Sequence, residues 1–243
     1  MKIYAHRGNK SEFPENSLQA FASSIELGVD GIEVDVQLTK DQVPMILHDE
    51  TLDRTSKGEG YLKDKSAAQV KEFHLLNPDN SQSNETIPTL EEMLALFDAL
   101  QFEGELNIEL KTDQFDYDGI EQLVVGIVQA KERAYKVIYS SFNWHTIQRL
   151  QDLSPKADLA LLIAEPLLPY LEHIPSFSPN ALHIDFRLLD HLDNELQSAY
   201  PIRLWTVNDE AELKRWLVTD DNRVEAVMTD HPRLAIGLRE AQN

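Results

Sequence analysis

The chain has 243 residues, 42% of them hydrophobic, which is enough for one large core and too many for an intrinsically disordered chain. It contains no cysteine, which excludes disulfides, thiolate metal sites and a cysteine nucleophile. Asp and Glu number 42 against 22 Lys and Arg, a formal charge of −20 that repels nucleic acid and anionic lipid surfaces. An anionic substrate needs local cations or a metal to reverse that sign at its site. Nowhere do 18 apolar residues run together, so no transmembrane helix is expected. No apolar h-region precedes the first strand-like run, Lys2 to His6, so no signal peptide is expected either. These features predict a soluble, cytoplasmic protein with no stable membrane association and no nucleic-acid partner.

Short apolar runs alternate with helix-like segments along the chain. Residues 2–6 read as a strand, 17–27 as a helix ended by Gly28, 31–36 as a strand, and 43–48 as another after a turn at 39–42. The stretch 49–87 is polar and reads as a long insertion or lid with one short helix near 67–73. Thr89 and Glu92 form a capping box for a helix over 90–100. Strands follow at 105–111, 137–140, 158–163, 181–185, 202–207 and 225–229. Helices between and after them are predicted at 119–133, from Asn143, near 167–173, near 189–198, at 209–218 and from Pro232. Strand–helix alternation argues for βα units around a parallel sheet.

The nine strand-like runs exceed a plain eight-stranded barrel by one. Only six residues separate 31–36 from 43–48, too few for a parallel crossover, so this pair must be an antiparallel hairpin. The expected fold is a single (β/α)8 TIM barrel spanning 1–243. It carries a hairpin arm after its second strand and a small insertion on its C-terminal face.

Barrel sites lie at the C-terminal ends of the strands. Those ends carry His6 and Arg7, Glu33 and Asp35, His48, then Glu109 and Lys111. Glu33 and Asp35 share one face of a strand, as do Glu109 and Lys111. Adjacent buried carboxylates repel unless a cation sits between them. With Glu109 they offer three oxygen ligands, suited to a hard cation such as Mg2+ or Ca2+ rather than zinc. A turn centred on Asp41 sets His48 opposite Val34, level with Glu33 and Asp35. Two histidines beside a metal-bound phosphate suit general acid–base work. Arg7 suits a forked phosphate contact, and Lys111 a point charge on the same oxygen. Trp205 and Phe142 read either as aromatic walls of the substrate pocket or as core. Asp230-His231-Pro232 reads either as ligand-facing or, better, as the cap of the last helix, and His74, His145, His173, His183 and His191 read as structural.

The ordered motifs resemble the glycerophosphodiester phosphodiesterase family. They are His6-Arg7-Gly8, Pro14-Glu15-Asn16-Ser17, Gly31-Ile32-Glu33-Val34-Asp35-Val36, Thr39-Lys40-Asp41, His48-Asp49 and Leu52-Asp53-Arg54-Thr55. Ile87-Pro88-Thr89-Leu90-Glu91-Glu92, Asn107-Ile108-Glu109-Leu110-Lys111, Ser141-Phe142, Trp205-Thr206-Val207-Asn208 and Thr229-Asp230 continue the series. The resemblance implies hydrolysis of glycerophosphodiesters to sn-glycerol 3-phosphate and an alcohol. It implies a divalent metal on Glu33, Asp35 and Glu109, with His6 and His48 as the acid–base pair and Arg7 on the phosphate. Three positions depart from the family pattern: Ser17 in place of Thr, Gln42 in place of the hairpin Gly, and Tyr200-Pro201 where a glycine is common. Competing readings are a lysophospholipase D or sphingomyelinase-D-like enzyme on the same barrel, and a non-catalytic phosphodiester-binding protein.

Overall fold

Strands buried on both faces read as near-continuous apolar runs, and here they close on themselves. The computed structural model describes residues 1–164, 179–191, 199–218 and 223–241. The first part of the chain forms β1 (Lys2–His6), α1 (Leu18–Glu26), β2 (Gly31–Leu38), β3 (Pro44–Ile46), α2 (Ala67–Val70), β4 (His74–Leu76) and β5 (Gln82–Thr86). The middle forms α3 (Leu90–Ala99), β6 (Glu105–Leu110), α4 (Ile120–Gln129), β7 (Lys136–Ser141), α5 (Trp144–Leu153) and β8 (Asp158–Ile163). The last part forms β9 (Ala181–Asp185), β10 (Ile202–Trp205), α6 (Glu210–Leu217), β11 (Val224–Thr229) and α7 (Pro232–Glu240). Eight parallel strands, β1-β2-β6-β7-β8-β9-β10-β11, close into a barrel because β1 pairs with both β2 and β11. This is the (β/α)8 architecture expected from the strand–helix alternation.

Helix starts follow the caps legible in the sequence. Ser17, Asn143 and Asp209 each accept a backbone N–H at the first turn of α1, α5 and α6. Thr89 and Glu92 satisfy each other's backbone donors at the start of α3. Between helices and strands, Phe21, Phe97, Phe102 and Tyr135 pack into one aromatic cluster, largely edge to face. Inside the barrel, Tyr4, Ile138, Ala160, Ala181, Ala226 and Met228 fill the lumen. Gly31 is required there, since a Cβ would lie 2.7 Å from the Tyr4 ring. His183 is buried in the same interior with Arg203 Nη1 at 3.0 Å, which fits its structural reading. Among the described residues no helix is long and apolar enough to cross a membrane.

The hairpin arm has the register its turn implies. Val36, Gln37 and Leu38 pair with Ile46, Met45 and Pro44. The Leu47 N–H donates to the Asp35 carbonyl at 3.0 Å, carrying that register one residue further towards His48. One edge of β2 is thus shared: Gly31, Ile32 and Glu33 pair with β1, and Val36 to Leu38 pair with β3. The strand itself is shorter than the expected 43–48, because past Ile46 the chain turns into the insertion.

Residues 49–87 depart from the expected polar loop. They hold a 3-10 turn at Leu62–Asp64, the short α2 and the β4–β5 hairpin. Met45, Leu47, Leu52, Leu62, Val70, Leu75 and Ile87 form a separate apolar cluster beneath them. Within the insertion Leu52, Leu62, Val70 and Leu75 are irregularly spaced, so no 2.0 or 3.6 period announces the cluster. Elsewhere, the helix over 119–133 ends at Gln129 and the strand over 202–207 ends at Trp205. The helix near 167–173 lies outside the described residues. Of the helix near 189–198, only a 3-10 turn at Phe186–His191 is described.

Gln42 occupies the hairpin turn with φ +62°, a left-handed conformation that costs a side chain but not a glycine. Gln42→Gly is therefore expected to stabilise the chain by up to about 1 kcal/mol. Chemical denaturation would measure this, and a loss of stability would contradict it.

Candidate active site

The register places the polar strand ends at one level of the barrel mouth. His6 pairs beside Glu33, Glu33 beside Asn107, and Asp35 beside Glu109. Side chains two apart on a strand share a face, so Glu33 and Asp35 meet Asn107 and Glu109 in the lumen. Glu33, Asp35 and Glu109 are all buried, and each offers a carboxylate oxygen within 4.8 Å of the others. Among the described residues, Glu33 Oε1 and Asp35 Oδ1 have no hydrogen-bond partner. Burial raises the Glu33 carboxyl well above its ordinary value, and the charges of Asp35 and Glu109 raise it further. Glu109 is raised mainly by burial, against the pull of Lys111. Burial also acts to raise Asp35, but Arg7, His48, Lys111 and the hydrogen bond from Asn16 outweigh it and hold it low.

Arg7 is set by its backbone. It stands at φ +60°, a conformation rare for a non-glycine residue and held here by neighbours on both sides. Its N–H donates to the Glu33 carbonyl at 3.0 Å and to Glu33 Oε2 at 3.1 Å, and its carbonyl accepts from Asn16 N at 2.9 Å. Gly8 must follow, at φ +79°, because a Cβ would meet Ala20 Cβ at 2.8 Å. The Arg7 guanidinium then lies 3.2 Å from Asp35 Oδ2 and donates to Glu15 Oε1 at 3.2 Å.

Each histidine is oriented by a carboxylate. His6 Nδ1 lies 2.6 Å from Asp230 Oδ1, and His48 Nδ1 lies 2.6 Å from Asp49 Oδ1. Asp230 and Asp49 are held below the usual carboxylate range: burial opposes this, but hydrogen bonds from the histidines and nearby cations prevail. Each imidazole therefore donates Nδ1–H to its carboxylate and presents Nε2 to the lumen. His6 Nε2 lies 3.9 Å from Glu33 Oε2. Burial, reinforced by Arg7, pushes the His6 imidazole down to about 4, so it is neutral at pH 7.

An outer layer ties these pairs together. Arg54 donates to Asp49 Oδ2 at 2.6 Å and to both oxygens of Glu15 at 2.8 Å. Lys10 Nζ stands 3.0 Å from Asp230. Gln37 Nε2 lies within 3.0 Å of the Leu47, His48 and Asp49 carbonyls, and Tyr117 donates to Gln37 Oε1 at 2.9 Å. The stretch bearing His48 is pinned from behind.

The eight residues singled out by sequence divide by position. His6, Arg7, Glu33, His48, Glu109 and Trp205 line one cavity. Asp35 lies beside them within the carboxylate cluster. Lys111 is buried and donates to Glu109 Oε1 at 2.8 Å, with its ammonium 5.6 Å from the Phe142 ring centroid. Trp205 and Phe142 meet edge to face at 5.6 Å on the cavity wall.

Asp230 departs from its expected role as helix cap. Its carboxylate faces His6, Lys10 and Asn208, and the N-cap of α7 is His231, which makes no side-chain cap bond. Sequence reasoning gave no role to Glu15, Lys10, Arg54 and Gln37, and the Asp230 partner of Lys10 lies at the other end of the chain. Asn107 was missed too, although it shares a strand face with Glu109.

Paired imidazoles beside a carboxylate cluster are equipment for acid–base hydrolysis, on the face where barrel enzymes react. A family model described as the glycerophosphoryl diester phosphodiesterase family matches residues 6–234. A glycerophosphodiester phosphodiesterase of Caldanaerobacter subterraneus subsp. tengcongensis is 33% identical over 242 residues, covering 97% of this chain and 96% of its own. Another, from Bacillus altitudinis, is 35% identical over 248 residues, covering 98% of each. Among solved structures, an Oleispira antarctica phosphodiesterase in complex with the product sn-glycerol-3-phosphate has a TM-score of 0.83 at 25% identity, covering 99% of this chain and 97% of that one. The chain belongs to the glycerophosphoryl diester phosphodiesterase family and is a phosphoric diester hydrolase.

The raised Glu33 carboxyl has a measurable consequence. A carboxyl raised in the folded state supports the fold fully below its unfolded value, near 4.5, and that support is lost as pH rises through the raised value. With chelator present, Glu33→Gln should melt above the unsubstituted chain at about pH 8, and the gain should vanish below about pH 4.5. Thermal melts across pH read this directly, and an equal gain at every pH would contradict it.

Proposed function

We propose that the enzyme hydrolyses glycerophosphodiesters to sn-glycerol 3-phosphate and an alcohol with a divalent metal held by Glu33, Asp35 and Glu109. The observation that carries this reading is the buried carboxylate trio with its unpartnered oxygens. Oxygen-only donors suit Mg2+ or Ca2+. Ionised as metal ligands must be, the three carboxylates against Arg7 and Lys111 carry one net negative charge, which by itself would repel a phosphodiester. A divalent cation turns that balance to one net positive charge and so matches the diester anion. When bound, the metal would polarise the phosphoryl oxygen and stabilise charge developing on it.

The chain's own groups then divide the remaining work. Arg7 holds a phosphate oxygen, and its αL backbone fixes where the guanidinium points. Lys111 neutralises Glu109 and adds positive potential beside the same oxygen. His6, neutral and oriented by Asp230, is suited to take the nucleophile's proton at Nε2. His48, oriented by Asp49, supplies a proton to the departing alkoxide. Trp205 and Phe142 wall the substrate against solvent. The Oleispira neighbour's product complex supports sn-glycerol 3-phosphate as the product here.

Purified enzyme with Mg2+ or Ca2+ should release glycerol 3-phosphate from glycerophosphocholine, and EDTA should abolish the release. His6→Ala and His48→Ala should each lower kcat by about 10²- to 10⁴-fold. Full activity in EDTA would refute the metal assignment, and full activity in both variants would refute the acid–base one.

A further inference from the structure

Beside the carboxylates, the cavity holds a group that the hydrolytic steps leave unused. Asn107 on β6 is 1% exposed and lines the cavity, level with Glu33 and two residues before Glu109. Among the described residues, neither its Oδ1 nor its Nδ2 has a hydrogen-bond partner. An amide buried with both ends unpaired is costly, and native interiors rarely leave one so unless a ligand completes it. Leu162, Met228 and the Trp205 ring give the same cavity an apolar surface. Asn107 thus stands beside this apolar surface, level with Glu33 and His6 and one layer below Asp35 and Glu109.

We propose that Asn107 is a specificity-determining residue that binds the free hydroxyls of the substrate's glycerol moiety. This rests on the glycerophosphodiesterase reading above and adds the orientation of the substrate within it. The ligand class follows from the chemistry of the amide. A hydroxyl both donates and accepts, so it matches Oδ1 and Nδ2 together, whichever way round the amide is turned. A phosphate has no use for Oδ1, and a quaternary ammonium has no use for Nδ2. The carbon skeleton of glycerol, meanwhile, packs against Leu162, Met228 and Trp205. The glycerol end therefore packs beside Asn107, the phosphate lies against His6, Arg7 and His48, and the alcohol leaves through the mouth. Selection falls on the glycerol end, and the head group is read only weakly.

The test compares the unsubstituted enzyme with Asn107→Leu and Asn107→Ser. Its substrates are glycerophosphocholine and the analogue lacking one hydroxyl, propane-1,2-diol phosphocholine. The unsubstituted enzyme should prefer glycerophosphocholine. Asn107→Leu should lower kcat/KM for it by about 10- to 100-fold while changing the analogue by only a fewfold, so that the preference collapses. Calorimetry should show weakened binding of sn-glycerol 3-phosphate and unchanged binding of Mg2+. The ligand-free Leu variant should melt at or above the parent temperature, because an unsatisfied amide has been removed. If Leu misfolds, Ser removes the amide with less change of volume and reports the same preference. A fall in Mg2+ affinity matching the loss of activity would make Asn107 a metal ligand and overturn the proposal. So would a lowered melting temperature with equal losses on both substrates, which would mark a structural residue. If the unsubstituted enzyme hydrolyses neither diester, the functional reading fails and takes this inference with it. If it hydrolyses glycerophosphocholine and the variants keep its preference, only the Asn107 assignment fails.

Discussion

Glu33, Asp35 and Glu109 are buried close enough for one atom to touch all three, and their mutual repulsion is the constraint around which the mouth is arranged. Nearly every polar neighbour answers it. The Arg7 backbone N–H donates to Glu33, its guanidinium approaches Asp35, Asn16 donates to Asp35 at 2.9 Å, and Lys111 pairs with Glu109. The left-handed backbone of Arg7 makes sense in the same terms, since only that turn brings both its N–H and its guanidinium to the cluster. These contacts reduce the repulsion without satisfying every oxygen, and the remainder is what a divalent cation would complete.

Of the two histidines proposed as the acid–base pair, His6 depends on a contact that exists only once the barrel is closed. His6 at the end of the first strand is oriented by Asp230 just past the last one, a separation of 224 residues. His48 is oriented by Asp49, which Arg54 ties to Glu15, and Glu15 in turn holds Arg7. A pull on either imidazole is therefore passed through carboxylates to a guanidinium or an ammonium. The insertion contributes Arg54 and stands on its own apolar cluster, so it acts as a packed rim to the mouth.

Local signals in the sequence carried the elements well. The strands at Lys2–His6, Asp158–Ile163 and Ala181–Asp185 have the bounds their apolar runs predict. The hairpin register was legible because a turn centred on Asp41 leaves one pairing, and that pairing alone sets the level of His48. Asp230 was not legible: its role depends on closure between the chain's two ends, while its neighbour Pro232 mimics an ordinary helix start. The apolar cluster of the insertion was hidden by spacing, since its members are irregularly spread over 45–87 and meet only in three dimensions. Asn107 was within reach of the pattern that found Glu109, but a neutral amide gives no charge signal, and its lack of partners appears only in the folded chain.

If the carboxylate trio is the organising centre, it must bind one divalent cation, and calorimetric titration of Mg2+ into chelator-treated protein tests this most directly. A single saturable site per chain, lost in Asp35→Asn while the fold persists, is the predicted result. Absence of saturable binding, or binding indifferent to that substitution, would contradict it.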